Sequence, residues 1–325
     1  ALPISHSYTL LLLSPRYYLP NLHRPTHPVM CRPHPPPIDD GVNANLESDD
    51  DYESDFVAPY TPSDLVAIIT DFYTFLTTLH FSAEDLKFPT TSSWPSIPSS
   101  CTFKSARAMK VLHQMPYFED TSLARQLPHY EDTSLALLHY KSRLIDYRSL
   151  PPSYYDAGED EYIYLNKMFE DSEGRPVDRH DVICFAEGRE SGGRQMFLDV
   201  LTGEVTEDII RCDILSPVDV VEYFEALKEE YRSLTLVPCT GRQVIEAKNV
   251  KEGGEVGRGE VMSQEGDFGT DVDVCWVRSV YRRHGWPDAF RREEAEREIS
   301  EVMAEIDAGE RGKDVGWYEW SDSTG

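Results

Sequence analysis

No two of the six cysteines form a C-x-x-C pair, so the ligand spacing of structural zinc sites and dithiol redox centres is missing. Cys31, Cys101, Cys184, Cys212, Cys239 and Cys275 are scattered, and Cys184 and Cys212 stand in apolar, strand-like contexts where a thiol acts as a small hydrophobe. This usage indicates a reducing compartment, cytoplasm or nucleus. Long apolar runs are also missing. Tyr8 to Leu13 is too short for a signal peptide, lacks a basic n-region, and meets Pro15 and Pro20 where a cleavage site would stand. No stretch approaches the roughly 18 apolar residues that a membrane span needs. Basic residues are scarce, 31 Lys and Arg against 58 Asp and Glu, for a net charge of −27. That charge repels phosphate backbones and anionic bilayers, which argues against nucleic acid and membrane partners and favours basic protein ones. Gly41 and the loop of Gly188, Gly192 and Gly193 match neither the phosphate-cradling loop nor the dinucleotide fingerprint. Turn formation accounts for these glycines, and no cofactor is expected.

What is present begins with two contrasting segments. The first 38 residues hold nine prolines and no acidic residue, and this leader reads as a gene-model extension (residues 1–29, with Met30 a candidate start) or a disordered arm. Asp39 to Asp55 then turns acidic, with Asp49, Asp50, Asp51, Glu53 and Asp55 too close to be neutralised locally. The expected organisation is a disordered arm over 1–57, one α+β domain over 58–310 with a flexible glycine-rich loop at 248–271, and a tail over 311–325.

Within the domain, Thr61, Pro62, Ser63 and Asp64 form a helix start, and Leu65, Ile68, Ile69, Phe72, Phe75, Leu76 and Leu79 recur on one helical face. A single turn is expected after Ser82 and a short helix around Ala108, Val111, Leu112 and Met115. The string Glu, Asp, Thr, Ser, Leu, Ala occurs at Glu119 and again at Glu131. One such echo is too short for a solenoid and reads as a local duplication with one copy packed and the other exposed. Strands are expected at Tyr162–Phe169, Val182–Glu187, Met196–Val200, Val205 and Ile209–Cys212. Val182–Glu187 is apolar on both faces and so interior. Their short, helix-free connections, including the turns at Asp171–Gly174 and Thr202–Gly203, argue for an antiparallel meander of about four to six strands. Ser216 and Pro217 signal a second helix start, with Val220, Phe224, Leu227, Tyr231 and Leu234 as its buried stripe. Further strands are expected at Leu234–Pro238 and Gln243–Glu246. A last helix, capped by Asp288 and closed by Gly309, holds Ala295, Ile299, Val302 and Ile306.

Two places carry candidate chemistry. Around the hairpin, Glu187, Arg189, Glu190 and Arg194 form a charged rim, and His180, Glu187 and Asp199 supply the residue types of an acid–base pair or a metal site. No Ser or Cys stands in a nucleophile elbow for His180 to activate, and chance grouping explains a few nearby carboxylates in so acidic a chain. No metal is assigned. The second place is the one local reversal of sign, Arg278 to Arg292, where Arg282, Arg283, His284 and Trp286 form a basic and aromatic surface suited to an anionic ligand or acidic peptide. Its bland reading is that the arginines clamp the protein's own acidic surface while Trp286 and Phe290 anchor the last helix.

The run Tyr281, Arg282, Arg283, His284, Gly285, Trp286, Pro287, together with Asp71, Phe72, Tyr73, Thr74, Phe75, Leu76, resembles a family of uncharacterised proteins from filamentous fungi. That likeness spans most of Pro59 to Gly309 and implies no activity. Leu150, Pro151, Pro152, Ser153, Tyr154, then Cys184, Phe185, Ala186 through Leu198, Asp199, then Gly203, Glu204, Val205 and the helix from Ser216, are similar to the SUKH superfamily. Its members include a fungal regulator of cell-wall synthesis and bacterial immunity proteins that bind toxins. This resemblance covers about a quarter of the chain, with a long insert between Tyr155 and Asp181 as a departure, and implies an α+β binding scaffold without catalytic residues. The expected function is a non-enzymatic interaction or regulatory scaffold; the alternative is a small-molecule or metal-dependent enzyme built on the carboxylates and His180.

Overall fold

Helix α1 (Pro62–Leu79) starts where its capping signature stands. The Thr61 hydroxyl accepts from the Asp64 amide at 3.2 Å, and the Asp64 carboxylate accepts from the Thr61 amide at 2.8 Å. The Thr61 hydroxyl also donates to the Asp64 carboxylate at 2.7 Å, and this bond, followed by that of the Thr61 amide, holds the Asp64 pKa below its ordinary value. The computed structural model describes residues 56–90, 93–119, 137–160, 162–163, 170–188, 192–211, 213–239, 244–266, 268–309 and 311. All of them lie in the compact unit Asp55–Gly325. The proline-rich leader, the acidic block and the 12-residue echo fall outside the described residues, apart from the echo's first few positions. After α1, Ser82 closes a turn, Asp85 N to Ser82 O at 3.1 Å, and the chain enters β1 (Leu86–Lys87) with no helix there. Helix α2 (Ala106–Gln114) is capped by Ser105, and β2 (Tyr117–Phe118) pairs antiparallel with β1.

The fold is α+β, built on a six-stranded antiparallel meander. Its strands are β3 (Leu137–His139), β4 (Ser142–Leu144), β5 (Val182–Gly188), β6 (Arg194–Asp199), β7 (Glu204–Ile209) and β8 (Val218–Asp219), adjacent in sequence order. The short helix α3 (Pro152–Tyr155) lies in the connection between β4 and β5. The β3–β4 hairpin is additional to the expected strands. The expected strand at Tyr162–Phe169 falls mostly outside the described residues, and Tyr162 and Ile163 themselves lie in a turn and bend. At the β6–β7 turn Gly203 holds φ +73, and a Cβ there would collide with the Tyr60 ring, so only glycine fits.

Helix α4 (Val220–Arg232) begins later than its Ser216–Pro217 signature suggests. Val218 is drawn into pairing with Val205, so the cap moves to Asp219, whose Oδ1 accepts from the Val221 amide at 2.9 Å. The stripe of Val220, Phe224, Leu227, Tyr231 and Leu234 is buried as the periodicity requires. β9 (Leu236–Val237) and β10 (Ile245–Glu246) pair as a separate ribbon. The segment read as a loop at 248–271 contains α5 (Arg258–Met262), fastened by the fully buried Val261. Helix α6 (Asp271–Arg283) has a Thr270–Asp273 capping box, and α7 (Arg292–Asp307) starts after Arg291 and not at Asp288. Asp273 also receives both terminal nitrogens of Arg311, at 3.0 and 3.1 Å, in a fully enclosed pair. Arg311, placed in a tail by its sequence position, is therefore part of the packed structure.

Both faces of β5 are covered. The Phe185 ring meets Phe224 of α4 at 5.8 Å, and Phe224 stacks on Phe72 of α1 at 4.7 Å, which places α1 and α4 over one face. Each such buried aromatic contributes roughly 1.5–3 kcal/mol. Cys184 faces the other way, toward Gln195 and a layer of Tyr147, Tyr154 and Tyr155. Inside that layer Lys104 Nζ sits 2.6 Å from Asp160 Oδ2, both side chains under 5% exposed. Lys104 also donates to the Val182 carbonyl, while Asp160 accepts from the Tyr154 hydroxyl at 2.8 Å and the Tyr162 amide at 3.0 Å.

Candidate functional site

The residues put forward for acid–base chemistry stand at two ends of β5. Asp199 is in register with Val182, two residues after His180, whereas Glu187 lies five residues further along, about 17 Å away at strand spacing. His180 is exposed and bonds Asp178 at 2.8 Å. Asp199 closes the β6–β7 turn, accepting from the Leu201 amide and the Thr202 hydroxyl, each at 2.8 Å. Burial pushes its carboxyl pKa up, against those bonds. His180 and Asp199 thus share one end of the sheet, and Glu187 is not brought to them.

At the opposite end the hairpin rim is an ion-pair network. Glu187 is in register with Arg143, and their side chains meet at 3.0 Å. Arg194 reaches Glu207 at 3.4 Å and Glu246 at 2.8 Å. Glu207 accepts from the Tyr223 hydroxyl at 2.6 Å, and Lys248 joins Glu246 to Glu230 at 3.4 and 2.8 Å. Arg189 and Glu190 lie outside the described residues. The sequence named Glu187 and Arg194 but not their partners, which come from β4, β7 and β10.

His139 of β3 completes this network. Its Nδ1 accepts from the Tyr140 amide at 2.7 Å, and Nε2 lies 3.9 Å from Glu230 Oε2. Burial, followed by the cations Arg194 and Lys248, lowers its pKa to about 3. The sign follows from linkage: the unfolded chain, with an ordinary value near 6.5, binds the proton that the folded chain refuses. Stability from this group is therefore complete above about pH 6.5 and declines by about 1.4 kcal/mol per pH unit below it. Urea unfolding from pH 6 to 4 should show a shallower slope for His139→Asn than for the parent. Equal slopes would mean that His139 titrates normally.

In the basic cluster, Arg278 is 4% exposed and donates to the Leu234, Ala247 and Val250 carbonyls at 3.0, 3.0 and 2.9 Å. Arg282 pairs with Glu252, Arg283 with Glu298, and His284 with Glu298 at 3.0 Å. Trp286 stacks on Tyr281 at 5.1 Å and donates through Nε1 to the Tyr231 and Arg232 carbonyls at the end of α4. The cluster is thus joined to the protein's own acids and to its core. Gly285, at φ +87, makes the sharp exit from α6, since a Cβ would strike the Ala289 carbonyl.

A further surface was not read from the sequence. Along the β7–β8 edge Ile214, Leu215, Val218 and Val221 are each about 40% exposed: 43, 41, 38 and 41%. Residues 213–219 run beside β7, with Leu215 N to Glu207 O at 2.8 Å and Val218 opposite Val205. The signal available was the pair Ile214–Leu215 just before Pro217. Beside this row, Glu222, Glu225 and Glu229 occupy one exposed stripe of α4. Asp71 of α1 and Glu225 both bind Lys228, whose side chain is 7% exposed while theirs are 70 and 55% exposed.

Among the described residues no group of three or more His, Cys, Asp or Glu is arranged to hold a metal ion, and no helix is long and apolar enough to cross a membrane. No family model, no curated protein and no solved structure matches the chain.

Proposed function

We propose that this protein is a non-enzymatic interaction scaffold of the cytoplasm or nucleus, with the β7–β8 edge as its contact surface. The observation that carries the reading is the row of Ile214, Leu215, Val218 and Val221, four branched aliphatic side chains left substantially exposed within eight residues of chain. Single exposed apolar residues need no explanation, but a grouped set rimmed by charge is the composition of a protein contact surface. The separation of Glu187 from His180 and Asp199 favours this reading over acid–base catalysis. The SUKH resemblance is in keeping with it, and the thiols of Cys101, Cys184 and Cys275, none of them in a disulfide, agree with a reducing compartment.

The test is site-specific photo-crosslinking in cell extract. A benzophenone side chain in place of Val221 should capture another polypeptide, whereas the same group in place of Glu301, exposed on α7, should not. Absence of any adduct specific to position 221 would overturn the reading.

A further inference from the structure

We propose that the occupant of this edge is a protein segment carrying basic side chains around apolar anchors. The inference rests on the scaffold reading and adds the chemistry of the partner. Val221 lies one turn before Glu225 on α4, beside the exposed stripe of Glu222, Glu225 and Glu229, because positions three and four apart share a helical face, and Val218 leads into the helix from β8. Asp71 adds a carboxylate from α1 to the same surface, held there by its shared bond with Glu225 to Lys228. The Lys228 ammonium is nearly enclosed between these two acids and Arg232 meets Glu229 at 3.8 Å at the far end of the stripe, so beside the valines the surface shown to a partner is apolar and negative through Glu222, Glu225 and Asp71.

Charge decides among the occupants. A second copy docked about a two-fold axis would bring the same negative surface onto itself, a like-charge approach that costs affinity. An acidic peptide, a nucleic acid or an anionic bilayer meets the same repulsion. An uncharged segment would cover the valines but strip water from the carboxylates without replacing their partners. Lysine or arginine flanking an aliphatic anchor satisfies both halves of the surface. Docking is through side chains, because Pro217 has no amide hydrogen and interrupts the outer edge of the sheet for strand addition.

The experiment uses the full chain and three fluorescent 12-residue peptides, of Lys with Leu, Lys with Ser, and Glu with Leu, followed by anisotropy at physiological salt. The Lys–Leu peptide should bind most tightly. Val218→Ser with Val221→Ser, which leaves the net charge unchanged, should weaken it about tenfold or more, the range of a lost apolar anchor pair. Glu222→Gln with Glu225→Gln should weaken it several-fold and flatten its salt dependence. Both pairs are exposed, and matching thermal melts will show that the fold is kept. Equal binding to the Val218/Val221 variant would overturn the proposal, since the attraction would then be to the chain's overall charge. Tighter binding of Glu–Leu than Lys–Leu, lost in the same variant, would overturn the basic class while leaving the scaffold reading in place. Sedimentation showing a dimer that the valine variant abolishes would assign the edge to a second copy instead.

Discussion

Replacing Lys104 with methionine is expected to destabilise the protein by about 3–5 kcal/mol, the usual consequence of leaving a buried ion without its partner. The Asp160 carboxylate has almost no solvent to turn to, and its 2.6 Å contact with Lys104 Nζ supplies the compensating charge. The Val182 carbonyl loses a donor in the same step. Adding Asp160→Leu should recover only part of the loss. Removing both charges relieves the electrostatic conflict, but the Tyr154 hydroxyl and Tyr162 amide then lose their acceptor. Urea unfolding of the two single variants and the double variant gives the coupling directly. A loss under about 1 kcal/mol for Lys104→Met would mean that water reaches Asp160 and that the tyrosine layer is open.

Arg278→Met should cost about 3–4 kcal/mol, because three hydrogen bonds from a nearly buried guanidinium are lost at once and the Ala247 carbonyl is left with the Val250 amide alone. Arg278→Lys should be nearly as damaging, since one ammonium cannot reproduce the planar fork that spans three acceptors. Arg282→Ala, four residues away on the same helix, should change stability by less than about 1 kcal/mol, because its bond to Glu252 is solvent-exposed. Parallel denaturant titrations of the three variants check this. Comparable losses at 278 and 282 would show the cluster acting as one unit.

These two cases show what kind of information was legible in the chain. The Thr61 cap, the α1 stripe and the order of β5, β6 and β7 are local, set by residues within one or two turns of one another, and they were readable. The cap of α4 was misplaced because Ser216–Pro217 carries a genuine start signature that Val218 overrides by pairing with Val205, an interaction remote in sequence. The β3–β4 hairpin was invisible because its turn uses Tyr140 and Lys141, with Lys141 at φ +50, in place of the glycine or asparagine that usually marks such a turn. Helix α5 was hidden in glycine-rich sequence, where Glu260 caps the Gly257 amide. At the candidate sites the sequence shows which positions carry charge but not what they meet. Their partners, Arg143, Glu207 and Glu246 for the rim and three backbone carbonyls for Arg278, come from distant segments. The exposed edge was missed because an apolar residue beside a buried stripe looks in sequence like more of the same core.

The pair between Asp273 and Arg311 ties the start of α6 to the chain beyond α7. Asp273 caps α6, accepting from the Gly269 and Thr270 amides at 2.8 Å each, yet its counter-ion is 38 residues further on. A chain lacking Arg311 would therefore leave the Asp273 carboxylate enclosed without its cation, so the start of α6 holds the turn after α7 in the folded unit.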